Sequence, residues 1–134
     1  YLICNKHPHL AANADIVIKV DTGPEVITGS TRMKAGTATK MVLNMISTTT
    51  MVQLGKVYGN LMVDLMTVND KLKDRGVRII KEVTGVSDDV AESKLVEAGN
   101  SVKTAMVMIQ KSSSKDDALI MLEQADGILR RVLK

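Results

Sequence analysis

Two short apolar runs near the start of the chain predict β-strands. YLICN (residues 1–5) is short and apolar, as a buried strand is, and DIVIKVD (residues 15–21) is rich in the β-branched residues typical of buried strands. The segment between them, HPHLAANA, carries a proline and predicts a brief helical turn. We expect the two strands to be neighbours in a parallel sheet, but two strands alone cannot bury both faces of a sheet. We therefore expect the trailing part of an α/β domain whose earlier strands lie outside this sequence.

From about Thr31 the apolar residues recur at spacings of three and four, the period of an α-helix. The residues of this stripe are Ala38, Met41, Val42, Met45, Ile46, Thr49 and Val52. Because Leu43, Met51 and Leu54 add apolar side chains on other faces, we expect a core helix that is buried on most sides.

A second helical stripe follows Gly59 and Asn60, which interrupt the first helix. It runs from Leu61 to Val83 and predicts another long helix, with Gly85 as its C-terminal cap. Lys71, Lys73, Asp74, Arg75 and Lys81 indicate a solvent-exposed face on this helix. The methionines could form an adaptable partner surface, but we expect them to pack in the core: Met41, Met45, Met51, Met62 and Met66.

Serine residues divide the rest of the chain into three short predicted helices. Ser87, Ser101 and Ser114 are the expected N-caps, and Ser114 with Asp117 resembles a capping box. The last of these helices carries Ala118, Leu122, Ala125, Leu129 and Val132 to a basic end. We expect two domains, residues 1–86 and a small helical unit of residues 87–134, which is too small to be stable without the preceding helices.

The amino-acid composition of the chain argues against some classes of function. The chain of 134 residues has no Phe or Trp, and a formal charge of +3 from 18 basic and 15 acidic residues spread along it. We therefore expect a mainly helical core and no nucleic-acid binding, because there is neither a basic field nor a set of aromatic side chains for base stacking. No apolar run is long enough to predict a membrane segment, and a single cysteine favours a reducing compartment, so we expect a cytoplasmic protein.

One cluster near the first strand could suggest a metal site. Cys4, His7 and His9 form a C-x-x-H-x-H pattern, but no fourth ligand follows at a recognisable spacing. We predict a connecting loop and no metal.

The segment from Gly23 to Lys40 is the strongest candidate for chemistry. Ser30 or Thr31 can cap the long helix, whose N-terminal N–H groups and positive dipole end would suit a phosphate group. Arg32 and Lys34 add positive charge, although capping and a solvated first turn explain the same residues. Glu25 is either a general base beside Lys34 or its ion-pair partner.

The order of residues in this segment resembles one family. GPEVITGSTRMKAGTATKMVLNMIST (residues 23–48), followed by LGKVYGNLMVD (residues 54–64), is similar to N-acetylmuramic acid 6-phosphate etherases and to the related vertebrate glucokinase regulatory protein. GVS (residues 85–87) and GNSVKTAMVM (residues 99–108) resemble the C-terminal helical extension of the etherases. The resemblance covers nearly the whole chain.

The resemblance implies the last two strands and the C-terminal helices of a sugar isomerase type phosphosugar-binding domain, in which helices cover both faces of a parallel sheet. It implies a homodimer and a lyase that cleaves the D-lactyl ether of N-acetylmuramic acid 6-phosphate, giving N-acetylglucosamine 6-phosphate and D-lactate. The reaction would run by elimination and then water addition, with two carboxylates as acid and base and no cofactor.

The resemblance also has implications for individual residues of this chain. The acid and base glutamates of the etherases lie upstream of the signature, so we assign no catalytic residue to this chain and expect it to be inactive alone. The residues that match the signature are candidates for substrate binding or dimer contact: Glu25, Ser30, Thr31, Arg32 and Lys34.

Two other functions remain open at this point. One is a non-catalytic sensor of sugar phosphates, like the glucokinase regulator, although that protein carries a second sugar-binding domain downstream. The other is an independent interaction module formed by residues 87–134. The short C-terminal tail favours the etherase.

Overall fold

A computed structural model describes residues 2–4 and 14–134 of the protein, without the side chain of Ile3. The predicted helical turn of residues 7–14 and the two histidines fall, apart from Ala14, outside these residues. The chain divides into two compact units, Tyr1–Thr50 and Met51–Lys134. Within the described part of the chain, no helix combines the length and the apolar character needed to cross a membrane.

The first unit contains the predicted parallel strand pair in a very short form. Strand β1 (Leu2–Ile3) pairs in parallel with β2 (Ile18–Lys19), with Leu2 opposite Ile18. Cys4, which follows β1, is buried, and its carbonyl accepts a hydrogen bond from Thr22 Oγ1 at 3.2 Å. The strands are therefore tied together beyond the paired residues.

Helix α1 (Lys34–Gln53) confirms the predicted long helix but not its burial. Val42 is its one buried residue, with 8% of its surface exposed, whereas Met41 and Met45 are 58% and 57% exposed. The prediction of a core helix with a packed methionine face is wrong for the described residues. A pair of two-residue strands has too little surface to cover a helix that is apolar on several faces.

The second unit opens with a β-hairpin where the sequence predicts the start of a helix. Strands β3 (Val57–Tyr58) and β4 (Leu61–Met62) pair in antiparallel fashion around a two-residue turn. Gly59 takes a φ of 61°, which suits the first position of such a turn and which glycine adopts freely. The helical stripe predicted from Leu61 is wrong up to residue 69, because the turn chemistry outweighs the spacing of the apolar residues.

Four further helices follow, and each is bounded by residues of a kind that commonly caps helices. Helix α2 (Asp70–Thr84) begins after Asn69, whose Oδ1 accepts from Leu72 N at 2.9 Å, and ends at the predicted Gly85 cap. Ser87 precedes α3 (Asp88–Glu97) without a side-chain cap bond. Ser101 caps α4 (Val102–Lys111), and Ser114 Oγ accepts from Asp117 N at 3.1 Å at the start of α5 (Lys115–Gln124).

The last predicted helix is in fact two helices. Asp126 and Gly127 adopt positive φ values of 55° and 70°, which end α5 and precede α6 (Leu129–Leu133). Residues 87–134 therefore hold four helices rather than three.

The core of the second unit surrounds α4, in which every residue from Val102 to Met108 is buried. Ile79 and Ile80 of α2 belong to the same core as Leu95 of α3 and Leu122 of α5. The compact units therefore do not follow the predicted boundary at residue 86, because α2 packs with the helices that follow it.

Part of the charged face of α2 forms ion pairs with α3. Lys73 pairs with Glu92, and Lys81 pairs with Asp88 at 2.7 Å, so both tie α2 to α3. The hydrogen bond with Glu92 raises the pKa of Lys73. Lys71 and Arg75 are exposed, as the sequence predicts, and line an open groove of about 700 Å³ beside the hairpin.

At Gly76 the backbone of α2 lies very close to its neighbours in this core. A Cβ atom at this position would lie 2.8 Å from Thr67 Cγ2, 3.1 Å from Val102 Cγ2 and 3.3 Å from Leu95 Cδ2. The first of these distances is shorter than real Cβ contacts, and the other two are tighter than most of them. The glycine that weakens α2 as an isolated helix is therefore what allows α2 to pack against α4.

We predict that Gly76→Ala destabilises the protein by about 1 to 3 kcal/mol, the usual penalty for overpacking a core. Equilibrium urea unfolding followed by circular dichroism measures this change. Asp74→Ala, at an exposed position of the same helix, is the control. A Gly76→Ala variant that gains about 1 kcal/mol, as helix propensity alone requires, would contradict the packing account.

Candidate functional site

The N-terminus of α1 is capped by a side chain from nine residues upstream. Glu25 Oε2 accepts from Lys34 N at 3.0 Å, and Glu25 Oε1 accepts from Ala35 N at 3.0 Å. The next two N–H groups donate to backbone carbonyls, from Gly36 to Thr31 at 2.8 Å and from Thr37 to Met33 at 3.0 Å. The N–H groups of the first three residues of α1 are therefore bonded before the regular helical series begins with that of Thr37.

A third hydrogen bond joins the same two sides of the loop. Lys34 Nζ donates to the carbonyl of Pro24 at 3.0 Å. We call Pro24, Glu25, Lys34 and Ala35 the neck, and residues 26–33 the tip. At the neck Lys34 and Ala35 donate all three hydrogen bonds and Pro24 and Glu25 accept them, which closes the segment between β2 and α1 into a loop.

The environment of Glu25 stabilises its charged form. Hydrogen bonds from the N–H groups of Ala35 and Lys34 lower the pKa of the Glu25 carboxyl below its ordinary value of 4.5 against the opposing effect of burial, and the Lys34 charge lowers it slightly further. A general base works best when its pKa lies near the working pH. The geometry therefore matches neither hypothesis for Glu25 from the sequence, because its carboxylate bonds the backbone of Lys34 rather than its ammonium group.

The other candidates lie in the tip. Ser30 is half-buried, and its N–H donates to the carbonyl of Ile27 at 3.0 Å, forming a turn. Thr31 and Arg32 are exposed, and neither Ser30, Thr31 nor Arg32 has a side-chain hydrogen bond within the described residues. The expected cap by the side chain of Ser30 or Thr31 is wrong, since Glu25 occupies that place.

The structure thus separates the five candidates into two groups. Glu25 and Lys34 hold the neck through hydrogen bonds to the chain, while Ser30, Thr31 and Arg32 present two hydroxyl groups and a guanidinium group in the tip. Hydroxyl and guanidinium groups are the usual partners of phosphate and carboxylate oxygens. The phosphate site expected at the first N–H groups of α1 is occupied by the carboxylate of Glu25.

Sequence reasoning missed one charged cluster in the helical unit. Lys103 is buried, and its Nζ donates to the carbonyl of Gly127 at 2.8 Å and lies 3.3 Å from Asp64 Oδ1. Asp64 also pairs with Lys56. Burial raises the pKa of Asp64, but the bond from Lys56 and the charge of Lys103 outweigh burial and hold that pKa below its ordinary value.

This cluster explains part of the family signature in structural terms. Lys56 and Asp64 belong to LGKVYGNLMVD, and Lys103 belongs to GNSVKTAMVM, so the network joins two signature segments far apart in sequence. A lysine in the first turn of an otherwise apolar helix was the one signal in the sequence. Its role is to tie α4 to the turn between α5 and α6.

Comparison with curated proteins finds strong similarity along almost the whole chain. An N-acetylmuramic acid 6-phosphate etherase of Geobacillus thermodenitrificans (strain NG80-2) is 50% identical over 133 residues, 99% of this chain and 45% of that protein. The etherase of Oceanobacillus iheyensis is 54% identical over 127 residues, 95% of this chain and 43% of that protein. That of Mycolicibacterium smegmatis is 51% identical over 132 residues, 98% of this chain and 44% of that protein.

These relatives are named for one class of enzyme, etherases that act on a phosphorylated amino sugar. The resemblance seen in the sequence is confirmed: the chain is similar to N-acetylmuramic acid 6-phosphate etherases over nearly all of its length. It spans less than half the length of the curated relatives it matches. No family model matches the chain.

The neck leads to a prediction about pH. Because the folded protein lowers the pKa of Glu25, the contribution of this carboxylate to stability is complete above the pKa of an unfolded glutamate and is lost as the pH falls through the lower, folded value. We expect the amide protons of Lys34 and Ala35 to shift together, with a midpoint below 4.5. Nuclear magnetic resonance of the full-length protein during an acid titration measures both.

Glu25→Gln is the matched control, since it keeps the shape of the side chain and removes the titrating group. The two amide protons should then show no transition in this range. A midpoint above 4.5 in the unsubstituted protein would contradict the hydrogen bonding of the charged form to the helix N-terminus.

Proposed function

We propose that the full-length protein is a carbon–oxygen lyase that cleaves the D-lactyl ether of N-acetylmuramic acid 6-phosphate, giving N-acetylglucosamine 6-phosphate and D-lactate. The observation that carries this proposal is the identity of about half the residues, over nearly the whole chain, with proteins that are named for this substrate. The activity would place the protein in peptidoglycan recycling in the cytoplasm.

The described residues support the view that the catalytic carboxylates lie elsewhere in the full-length protein. Glu25 is bonded to the start of α1, and Glu92 and Glu97 are in ion pairs on the protein surface. Glu82 and Glu123 are exposed on α2 and α5. None of these carboxylates lies in the buried setting that is usual for a general acid.

We further propose that β1 and β2 are the last strands of a sugar isomerase type sheet, and that the protein is a homodimer. The parallel pairing of the strands supports the first proposal. The second is supported by the many large apolar side chains that α1 leaves exposed, because a water-soluble monomer seldom exposes an apolar patch of that size. Ser30, Thr31 and Arg32 are the candidates for contact with substrate or partner subunit.

The two alternative functions have less support. A non-catalytic sensor of sugar phosphates is not favoured by the names of the relatives reported above. An independent interaction module of residues 87–134 is not favoured by the packing, since Ile79 and Ile80 of α2 belong to the core of those helices.

The proposal predicts that the full-length protein releases D-lactate from N-acetylmuramic acid 6-phosphate and that residues 1–134 alone do not. A coupled D-lactate dehydrogenase assay, with chromatography of the second product, measures both. N-acetylglucosamine 6-phosphate, which lacks the lactyl group, is the control substrate.

Binding of the substrate without lactate release by the full-length protein would instead support the sensor. Lactate release by residues 1–134 alone would overturn the assignment of the acid and base to residues outside this chain.

A further inference from the structure

The loop before α1 is closed at its base by three hydrogen bonds. Two run from the N–H groups of Lys34 and Ala35 to the two oxygens of Glu25, and one runs from Lys34 Nζ to the carbonyl of Pro24. All three lengths are 3.0 Å. Both oxygens of Glu25 are therefore already bonded to the backbone, which leaves this side chain poorly placed to act on a ligand.

The tip between these bonds has the opposite character. Val26 and Ile27 are 93% and 70% exposed, and Thr31 and Arg32 are exposed beside them. The tip is shaped by backbone bonds only, namely those that the carbonyls of Ile27, Thr31 and Met33 accept. Its side chains are free to contact another molecule, while its backbone depends on the neck for its position.

We propose that Glu25 and Lys34 are positioning residues, which fix the tip so that Ser30, Thr31 and Arg32 can bind an oxyanion of the substrate. This inference rests on the proposed function, which supplies a substrate with two anionic groups, the 6-phosphate and the lactyl carboxylate. The chemistry shared by both groups is that of negatively charged oxygens, which hydroxyl and guanidinium groups bind.

The charge on Lys34 also has a defined place in this arrangement. Its ammonium group is held at the Pro24 carbonyl, so Lys34 stabilises the neck through one donated bond and contributes positive charge close to Glu25. Arginine can donate in the same place, whereas methionine keeps the aliphatic part of the side chain and loses the bond. Comparing Lys34→Arg with Lys34→Met therefore separates the effect of the hydrogen bond from the effect of side-chain packing.

The test uses the full-length protein and two independent readouts. Amide hydrogen exchange at Lys34 and Ala35 reports on the neck directly, and steady-state kinetics with N-acetylmuramic acid 6-phosphate report on binding and chemistry. The variants are Glu25→Gln, Lys34→Met and Lys34→Arg. Glu123→Gln and Lys115→Met, at exposed positions of α5 outside the site, are the matched controls.

We expect Glu25→Gln to speed exchange at both amides and to raise KM about tenfold with a much smaller change in kcat, the pattern of lost substrate binding. Lys34→Met should raise KM in the same way, and Lys34→Arg should restore it to nearly the original value. The two controls should leave exchange and kinetics unchanged.

A third measurement tells the two anionic groups of the substrate apart. Arg32→Ala should raise KM, and inhibition by N-acetylglucosamine 6-phosphate shows which group Arg32 binds, because this product has the phosphate and lacks the lactyl carboxylate. A parallel rise in its inhibition constant assigns Arg32 to the phosphate. An unchanged inhibition constant assigns it to the lactyl carboxylate.

Several outcomes would overturn the proposal. Unchanged exchange at Lys34 and Ala35 in Glu25→Gln would disprove the neck, and faster exchange with unchanged KM would disprove its link to binding. A loss of kcat at constant KM would make Glu25 catalytic instead. If the unsubstituted full-length protein released no lactate, the proposed function itself would fail, while hydrogen exchange would still decide whether the neck exists.

Discussion

The carboxylate of Glu25, bonded to two N–H groups of α1, is the interaction on which the loop before this helix depends. A helix of this length begins with N–H groups that have no partner within the helix and with the positive end of its dipole. In this protein the negative charge that satisfies them comes from the same chain, nine residues earlier. The capping bond therefore does two things at once: it starts the helix and it closes the loop.

The helical unit depends on a different constraint, the close approach of α2 to α4. That approach is possible because Gly76 has no side chain. It places α4 at the centre of the unit, where the helix makes both polar and apolar contacts. Lys103 is the polar contact, since a buried ammonium group must find oxygens and here finds the Gly127 carbonyl and Asp64. The signature segments of the family thus contain residues that build the fold as well as residues exposed for contact.

Whether a feature of this structure could be predicted from the sequence depends on how far apart in sequence the interacting residues lie. The caps at Ser101, Ser114 and Gly85 bond residues three or four positions away, and the sequence predicts all three. The role of Glu25 depends on a contact across nine residues that no local pattern reveals. Leu61, Leu65 and Val68 have helical spacing, yet a two-residue turn at Gly59 and Asn60 places the first of them in a strand. The apolar pattern of α1 overestimates its burial, because two strands of two residues cover little of the helix.

The buried position of Cys4, the one cysteine of the chain, has a practical consequence for spectroscopy. A thiol that is out of contact with solvent reacts slowly with maleimide and methanethiosulfonate reagents, since these need an accessible thiolate. A cysteine introduced at the exposed Thr28 would therefore take a spin label or fluorophore ahead of the native thiol. The motion of the tip can then be followed in a chain that keeps its natural residue at position 4.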